Sequence, residues 1–148
     1  MCGIIGYTGS EDVKGVLLDA LELLEYRGYD SAGIALADTG LKQTKVYKCA
    51  GRVKDLRAIC ESEKLITECG IGHTRWATHG EPSETNAHPH MSDDGNVVGV
   101  HNGIIENYQE LKEKLVRKGY SFYSSTDTEV AVKLIDYYYK KYEHTPVD

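Results

Sequence analysis

Ala32-Gly33-Ile34-Ala35-Leu36-Ala37-Asp38 and Gln43-Thr44-Lys45-Val46-Tyr47-Lys48-Cys49 are two short runs joined across Asp38-Thr39-Gly40. A turn signal between two strand-like runs reads as a hairpin, and a hairpin means antiparallel pairing. A doubly wound parallel sheet, which needs a long crossover between strands, is thereby disfavoured. Upstream, residues 3–7 read as a short buried strand, Thr8-Gly9 as a turn and Ser10 as a helix cap. Val13, Val16, Leu17, Ala20, Leu21 and Leu24 then recur at helical spacing, and Gly28 is placed to end that helix. Downstream, residues 53–60 are weakly helical, 70–73 and 97–101 are strand-like, and 106–118 form a helix closed by Gly119. Residues 120–123 read as one more strand. Thr126-Asp127-Thr128-Glu129 matches a capping box before a helix whose apolar face carries Val130, Leu134, Ile135 and Tyr138. The polar stretch between His73 and Val97, with Pro82 and Pro89, is expected to hold no regular element. Helices interleaved with antiparallel hairpins predict an α+β fold.

The chain has 148 residues, with 17 basic and 23 acidic side chains and a net charge of −6, which is one domain's worth of sequence. That balance supplies no basic footprint for nucleic acid or for an anionic membrane surface. No apolar run approaches the roughly 18 residues needed to span a bilayer. No charged, apolar leader opens the sequence, so a cytoplasmic protein is expected. Cys2, Cys49, Cys60 and Cys69 contain no Cys-x-x-Cys pair, which favours reduced thiols over a structural zinc site.

Several segments could carry chemistry. Cys2 becomes the first residue if the initiator methionine is trimmed, and its thiol then lies within reach of its own α-amine. That places a nucleophile and a general base on one residue; a small buried hydrophobe would read the same way from position alone. His73-Thr74-Arg75-Trp76-Ala77-Thr78-His79-Gly80 packs a guanidinium, hydroxyls and an indole into eight residues, and Arg75 with Thr78 could hold a carboxylate. In His101-Asn102-Gly103 a carboxamide precedes an accessible backbone N–H, the donor pair that an oxyanion needs, although Asn-Gly is also a common turn. Asp127 suits a substrate ammonium, and equally the positive end of a helix. His73, His79, His88, His90 and His101 could seed a metal site, but they show neither helical pairing nor clustered carboxylates. Gly6-Tyr7-Thr8-Gly9-Ser10 lacks the Lys and the glycines of a phosphate loop. The Tyr137-Tyr138-Tyr139-Lys140-Lys141-Tyr142 run distributes round a helix, half core and half surface.

Taken in order, Met1-Cys2-Gly3-Ile4, Tyr26-Arg27-Gly28-Tyr29-Asp30-Ser31-Ala32-Gly33, residues 73–80, His101-Asn102-Gly103 and Ser125-Thr126-Asp127-Thr128-Glu129 resemble the N-terminal glutaminase domain of the glutamine–fructose-6-phosphate aminotransferase family. Those domains are class II glutamine amidotransferases. The resemblance implies the N-terminal-nucleophile hydrolase fold, a four-layer α/β/β/α sandwich with two antiparallel sheets. It implies that Cys2 is the nucleophile, that its freed amine is the base, and that Asn102 and the Gly103 N–H form an oxyanion hole. It further implies that Arg75 and Thr78 bind the α-carboxylate of L-glutamine and Asp127 its α-ammonium. Trp76 and His79 would shape a closing loop, and Arg27 would support the nucleophile. No metal and no cofactor is called for.

In that family the domain runs past residue 148 and the sugar-isomerising domains follow. Residues 1–148 are therefore expected to be a partial domain, with open sheet edges that favour self-association. Fructose 6-phosphate would be met only through absent domains, and the full enzyme is expected to be a homodimer. A chain keeping Met1 is expected to be nearly inactive, because the Cys2 nitrogen is then an amide without useful basicity. Two other readings stay open: a glutamine-binding or assembly module without turnover, and a histidine-based metal hydrolase.

Overall fold

The computed structural model describes residues 1–77 and 81–143. Strand β1 (Gly3–Thr8) leads into helix α1 (Val13–Leu24) and a single 3-10 turn at Glu25–Arg27. Strands β2 (Ser31–Asp38) and β3 (Gln43–Cys49) form the expected antiparallel hairpin. Its turn is tied by the Asp38 carboxylate, which accepts the Gly40 and Leu41 N–H groups at 2.9 and 3.0 Å. Helix α2 (Val53–Cys60) and strand β4 (Thr67–Arg75) follow. Strand β4 inserts between β1 and β2, giving one antiparallel sheet of order β1-β4-β2-β3.

Alternation along these strands separates two faces. Ala32, Ile34 and Leu36 of β2 bury against Val13, Leu17, Leu18 and Leu21 of α1 and Val53, Leu56 and Cys60 of α2. The opposite face carries Ala35, Ala37, Thr44, Cys69 and Ile71 around a cavity of about 420 Å³, and the Cys69 thiol is exposed there. Toward the other end of the same face stand His73, Arg75 and Gly33, where the rest of the chain packs down.

The His73 and Gly33 end of that second face is covered by the segment leading into a two-stranded antiparallel sheet, β5 (His90–Met91) with β6 (Val98–Gly99), which is backed by helix α4 (Asp127–Tyr142) with α3 (Tyr108–Arg117) beside it. The order of layers is helix, sheet, sheet, helix, as expected for an α+β N-terminal-nucleophile sandwich. Helix α3 ends as Gly119 predicts. Gly119 takes φ +93°, its N–H donates to Val116 O at 3.0 Å, and the Tyr120 N–H reaches Leu115 O at 3.1 Å.

Local expectations are corrected at several places. The cap of α1 is Asp12, without a side-chain capping bond, rather than Ser10. The strand expected over residues 97–101 contracts to Val98–Gly99, and the polar stretch before it contains the short strand β5. The strand expected over 120–123 does not form. Its backbone is claimed by α4 instead: the Tyr123 and Ser124 N–H groups donate to the Glu129 carboxylate at 2.9 and 2.7 Å, and Lys133 donates to Ser121 O. The capping box forms by half, because Thr126 Oγ1 accepts the Glu129 N–H while the Glu129 carboxylate serves residues 123 and 124. Helix α4 also turns a different face inward. Val130 is buried as expected, but Glu129, Lys133 and Asp136 are buried with it, while Ile135 and Tyr138 are exposed. The charged side chains face inward because they satisfy the irregular 120–124 segment.

Candidate active site

Antiparallel register sets the first residues of the site. Gly3 lies opposite Thr74, so Cys2 comes to the end of β4 beside Arg75 and Trp76. The Gly3 N–H donates to Thr74 Oγ1 at 3.2 Å and holds the chain start in place. Cys2 Sγ accepts the Trp76 N–H at 3.3 Å and lies 3.7 Å from Trp76 O. The end of β4 is braced from the 26–33 motif: the Asp30 N–H donates to Arg75 O at 3.0 Å, and Asp30 Oδ2 accepts the Ala77 N–H at 2.7 Å. Gly28 is required there, because a Cβ would lie 2.8 Å from the Arg75 carbonyl carbon and the Trp76 nitrogen.

The other wall comes from the segment after β6 and from the start of α4. The Asn102 carboxamide Nδ2 donates to Cys2 O at 3.3 Å, tying the His101-Asn102-Gly103 loop to Cys2. Asp127, the first residue of α4, accepts the Ile105 N–H on Oδ2 at 2.7 Å. Cys2, Arg75, Trp76, Asn102, Gly103 and Asp127 thus line one cleft. The cleft is narrow, about 30 Å³, so a substrate would enter by moving its lining, of which Trp76 is half exposed. Arg75 is 4% exposed; burial lowers its pKa, and the nearby Cys2, Asp30 and Asp127 oppose that shift. The cleft thus brings together a thiol, a buried guanidinium and a buried carboxylate, groups of opposite charge beside a potential nucleophile.

Three imidazoles pack in a row beside the cleft, and His88 among them lines it together with His101. His73 and His88 stack with centroids 4.2 Å apart and planes 13° from parallel, and His88 meets His90 edge-on at 4.7 Å. The His101 N–H donates to His88 Nδ1 at 3.4 Å. His90 Nε2 and Thr126 Oγ1 are 2.8 Å apart, and His90 Nδ1 lies 3.0 Å from the Tyr123 hydroxyl. Burial pushes His73 down to about 4 and His90 down to about 3, and it lowers His88 further, with neighbouring cationic and imidazole groups adding to each shift. All three rings are therefore neutral at pH 7, and a neutral His88 can accept at Nδ1.

Of the residues singled out from sequence, Arg27 stands apart from the cleft. Its guanidinium donates to Met1 Sδ at 3.4 Å, and with Tyr26, Met1 and Trp76 it lines a neighbouring pocket. Thr78 and His79 lie outside the described residues. Of the histidines weighed as metal ligands from composition, His73, His88 and His90 pack against one another, and His88 accepts the backbone N–H of His101 in the loop that carries Asn102. Asp30, Thr74 and Ile105 hold the cleft together without having been assigned a role from sequence. Asp30 had a signal, since it sits inside the 26–33 motif; the Ile105 N–H had none, because any residue but proline supplies it.

A family model described as glutamine amidotransferase domain matches residues 41–144. The chain is 54% identical over 140 residues to the glutamine–fructose-6-phosphate aminotransferase (isomerizing) of Clostridium tetani, covering 95% of this chain and 23% of that protein. It is 53% identical over 138 residues to the protein of the same name from Staphylococcus aureus, covering 93% of this chain and 22% of the relative. Among solved structures it resembles one described as the allosteric regulatory enzyme of purine biosynthesis, with a TM-score of 0.76 and 29% identity over 92% of this chain and 29% of that one. It also resembles the glutamine phosphoribosylpyrophosphate amidotransferase of B. subtilis, with a TM-score of 0.69 and 27% identity, again over 92% of this chain and 29% of that one. The chain thus spans under a quarter of the length of the aminotransferases it matches. Sequence along nearly all of its length, the layered fold and the family model agree: the chain belongs to the glutamine amidotransferase family.

Proposed function

We propose that Cys2, once Met1 has been removed, hydrolyses the side-chain amide of L-glutamine through a thioester and releases ammonia. The observation that carries this reading is the convergence of Cys2, Arg75, Asn102, Gly103 and Asp127, from four separate stretches of chain, on one cleft. The freed α-amine takes the thiol proton, and the thiolate adds to the δ-carbon of glutamine. The oxygen that gains charge is met by Asn102 Nδ2, swung from the Cys2 carbonyl, and by the Gly103 N–H, each such donor being worth about 2.7 to 4 kcal/mol. Collapse expels the amide nitrogen, which leaves as ammonia with the proton held by the amine. Water then cleaves the γ-glutamyl thioester, giving glutamate and the free thiol. Arg75, with Thr78, takes the α-carboxylate and Asp127 the α-ammonium, so glutamine is held by both ends at one distance from sulfur. Trp76 and His79 close over it, and Arg27, whose bond to Met1 Sδ is lost on trimming, supports the site beside the nucleophile.

Residues 1–148 are, on this reading, part of a glutaminase domain in a longer, dimeric, cytoplasmic enzyme. That enzyme passes ammonia to fructose 6-phosphate and makes glucosamine 6-phosphate; support comes from the names of the relatives and the fraction of their length that this chain matches. No helix among the described residues is long and apolar enough to cross a membrane. The test is glutamate release from glutamine by Met1-trimmed protein, with intact mass recorded on the same sample. Trimmed protein should turn over, Met1-retaining protein should be slower by about 10² to 10⁴, and Cys2→Ala should be inactive. Full activity in a Met1-retaining sample would defeat the amine as base; glutamine binding without glutamate release from trimmed protein would favour a non-catalytic module.

A further inference from the structure

The loop that carries Asn102 and Gly103 is held at three points. The His101 N–H donates to His88 Nδ1 at 3.4 Å, Asn102 Nδ2 donates to Cys2 O at 3.3 Å, and the Ile105 N–H donates to Asp127 Oδ2 at 2.7 Å. The third is the shortest, and its acceptor is a carboxylate, so it is the strongest of the three. It also fixes the loop to a rigid element. Asp127 is 5% exposed and opens α4, whose cap Thr126 is itself bonded to His90. Asp127 also lines the cleft, near enough to Arg75 for its charge to act on the guanidinium. One group therefore touches both the place where a substrate ammonium would sit and the backbone that aims the oxyanion donors.

We infer that Asp127 is a positioning residue for the oxyanion loop as well as an ammonium ligand, so that one carboxylate sets both substrate grip and donor geometry. This rests on the glutaminase reading above. The two tasks separate by chemistry. An asparagine keeps an oxygen that accepts the Ile105 N–H but loses the charge that holds an ammonium. Alanine loses both. A substrate without an α-amine removes the ammonium task altogether and leaves only the loop.

The experiment uses the full-length natural chain with Met1 removed, comparing wild type, Asp127→Asn, Asp127→Ala and Asp127→Ser on L-glutamine and on glutaramate, the same amide without its α-amino group. Hydrogen exchange of the Ile105 amide is followed in each. Asp127→Asn should raise KM for glutamine and keep kcat within about threefold, whereas Asp127→Ala should lose kcat by about 10- to 100-fold, the scale of an ångström-level misplacement. The loss should persist on glutaramate, and Ile105 exchange should accelerate in Asp127→Ala but not in Asp127→Asn. Asp127→Ser, which suits a helix start but does not reach Ile105, serves if alanine prevents folding, with the alanine pattern expected. Equal kcat for Asn and Ala, wild-type rates of Asp127→Ala on glutaramate, or unchanged Ile105 exchange overturns the inference. Failure of the wild type to release glutamate, or retention of activity by Cys2→Ala, would instead sink the glutaminase reading.

Discussion

Single residues carry the tightest constraints in this molecule. A Cβ on Gly33 would collide with the His88 carbonyl oxygen, across the gap between β2 and the segment leading to β5. Gly33→Ala must therefore push residues 88–90 off the sheet, and with them the acceptor for the His101 N–H. Overpacking of this kind costs about 1 to 3 kcal/mol, so we expect the urea midpoint to drop and glutamate release to fall together; a variant with wild-type midpoint and rate would show that the segment gives way freely. Cys2, Arg75, Trp76, Asn102, Gly103 and Asp127 were legible in sequence because each sits in a compact motif whose residue types match one chemical task. The crowding of Gly33 under His88 was not, since it joins positions far apart in the chain and no local pattern announces it. The histidines were visible in sequence only as a group without ligand spacing; the structure uses them for ring packing and for contacts at three ring nitrogens, His88 Nδ1, His90 Nδ1 and His90 Nε2.

Among the elements, α4 shows why helix faces cannot always be read from apolar spacing. Lys133 is fully buried, 2.8 Å from Glu129 and 3.0 Å from Asp93, with its ammonium over the rings of Phe122 and Tyr123. Asp136 accepts the Tyr120 hydroxyl at 2.9 Å and pairs with Lys140 at 2.8 Å. These polar side chains replace the strand ladder that residues 120–123 would otherwise need, so the aromatic run there, read alone, imitates a strand. Removing one member of a buried pair costs about 3 to 5 kcal/mol because its partner is left charged and unmet. Lys133→Met should lose stability of that order in urea unfolding, and it should loosen protection of the 121–124 amides before that of β2 and β4. A loss under about 1 kcal/mol would mean that the pair is dispensable. The hairpin β2-β3 and helix α1, by contrast, were legible because turn chemistry and apolar period agree with where each packs.

At the scale of the whole molecule, the stacked histidines couple folding to acidity. In the unfolded chain these rings protonate near 6.5; in the fold His73 does so at about 4 and His90 at about 3, because burial disfavours their charged forms. Between those values the unfolded chain binds protons that the folded one refuses. Stability is therefore complete above pH 6.5 and is lost as pH falls, by about 1.4 kcal/mol per pH unit for each such ring. Urea midpoints taken between pH 6.5 and 5, a range in which ordinary carboxylates stay ionised, should fall steadily, and His90→Phe should flatten the slope. A level profile over that range would contradict the neutral stack. The layer order was legible in outline from the succession of hairpins and helices, and β6 was legible within the longer strand expected over 97–101, but its partner β5 was not, because a two-residue strand leaves no periodic trace.

The four thiols are also unequal in a useful way. Cys49 and Cys60 are buried, and burial raises the pKa of each, which slows their modification, while Cys69 stands exposed on the sheet face away from α1 and α2. With Cys2 replaced by alanine, a maleimide dye would mark Cys69 selectively in the native state. Its emission would then act as a spectroscopic gauge of that bare surface, dimming or shifting whenever another stretch of polypeptide comes to rest there.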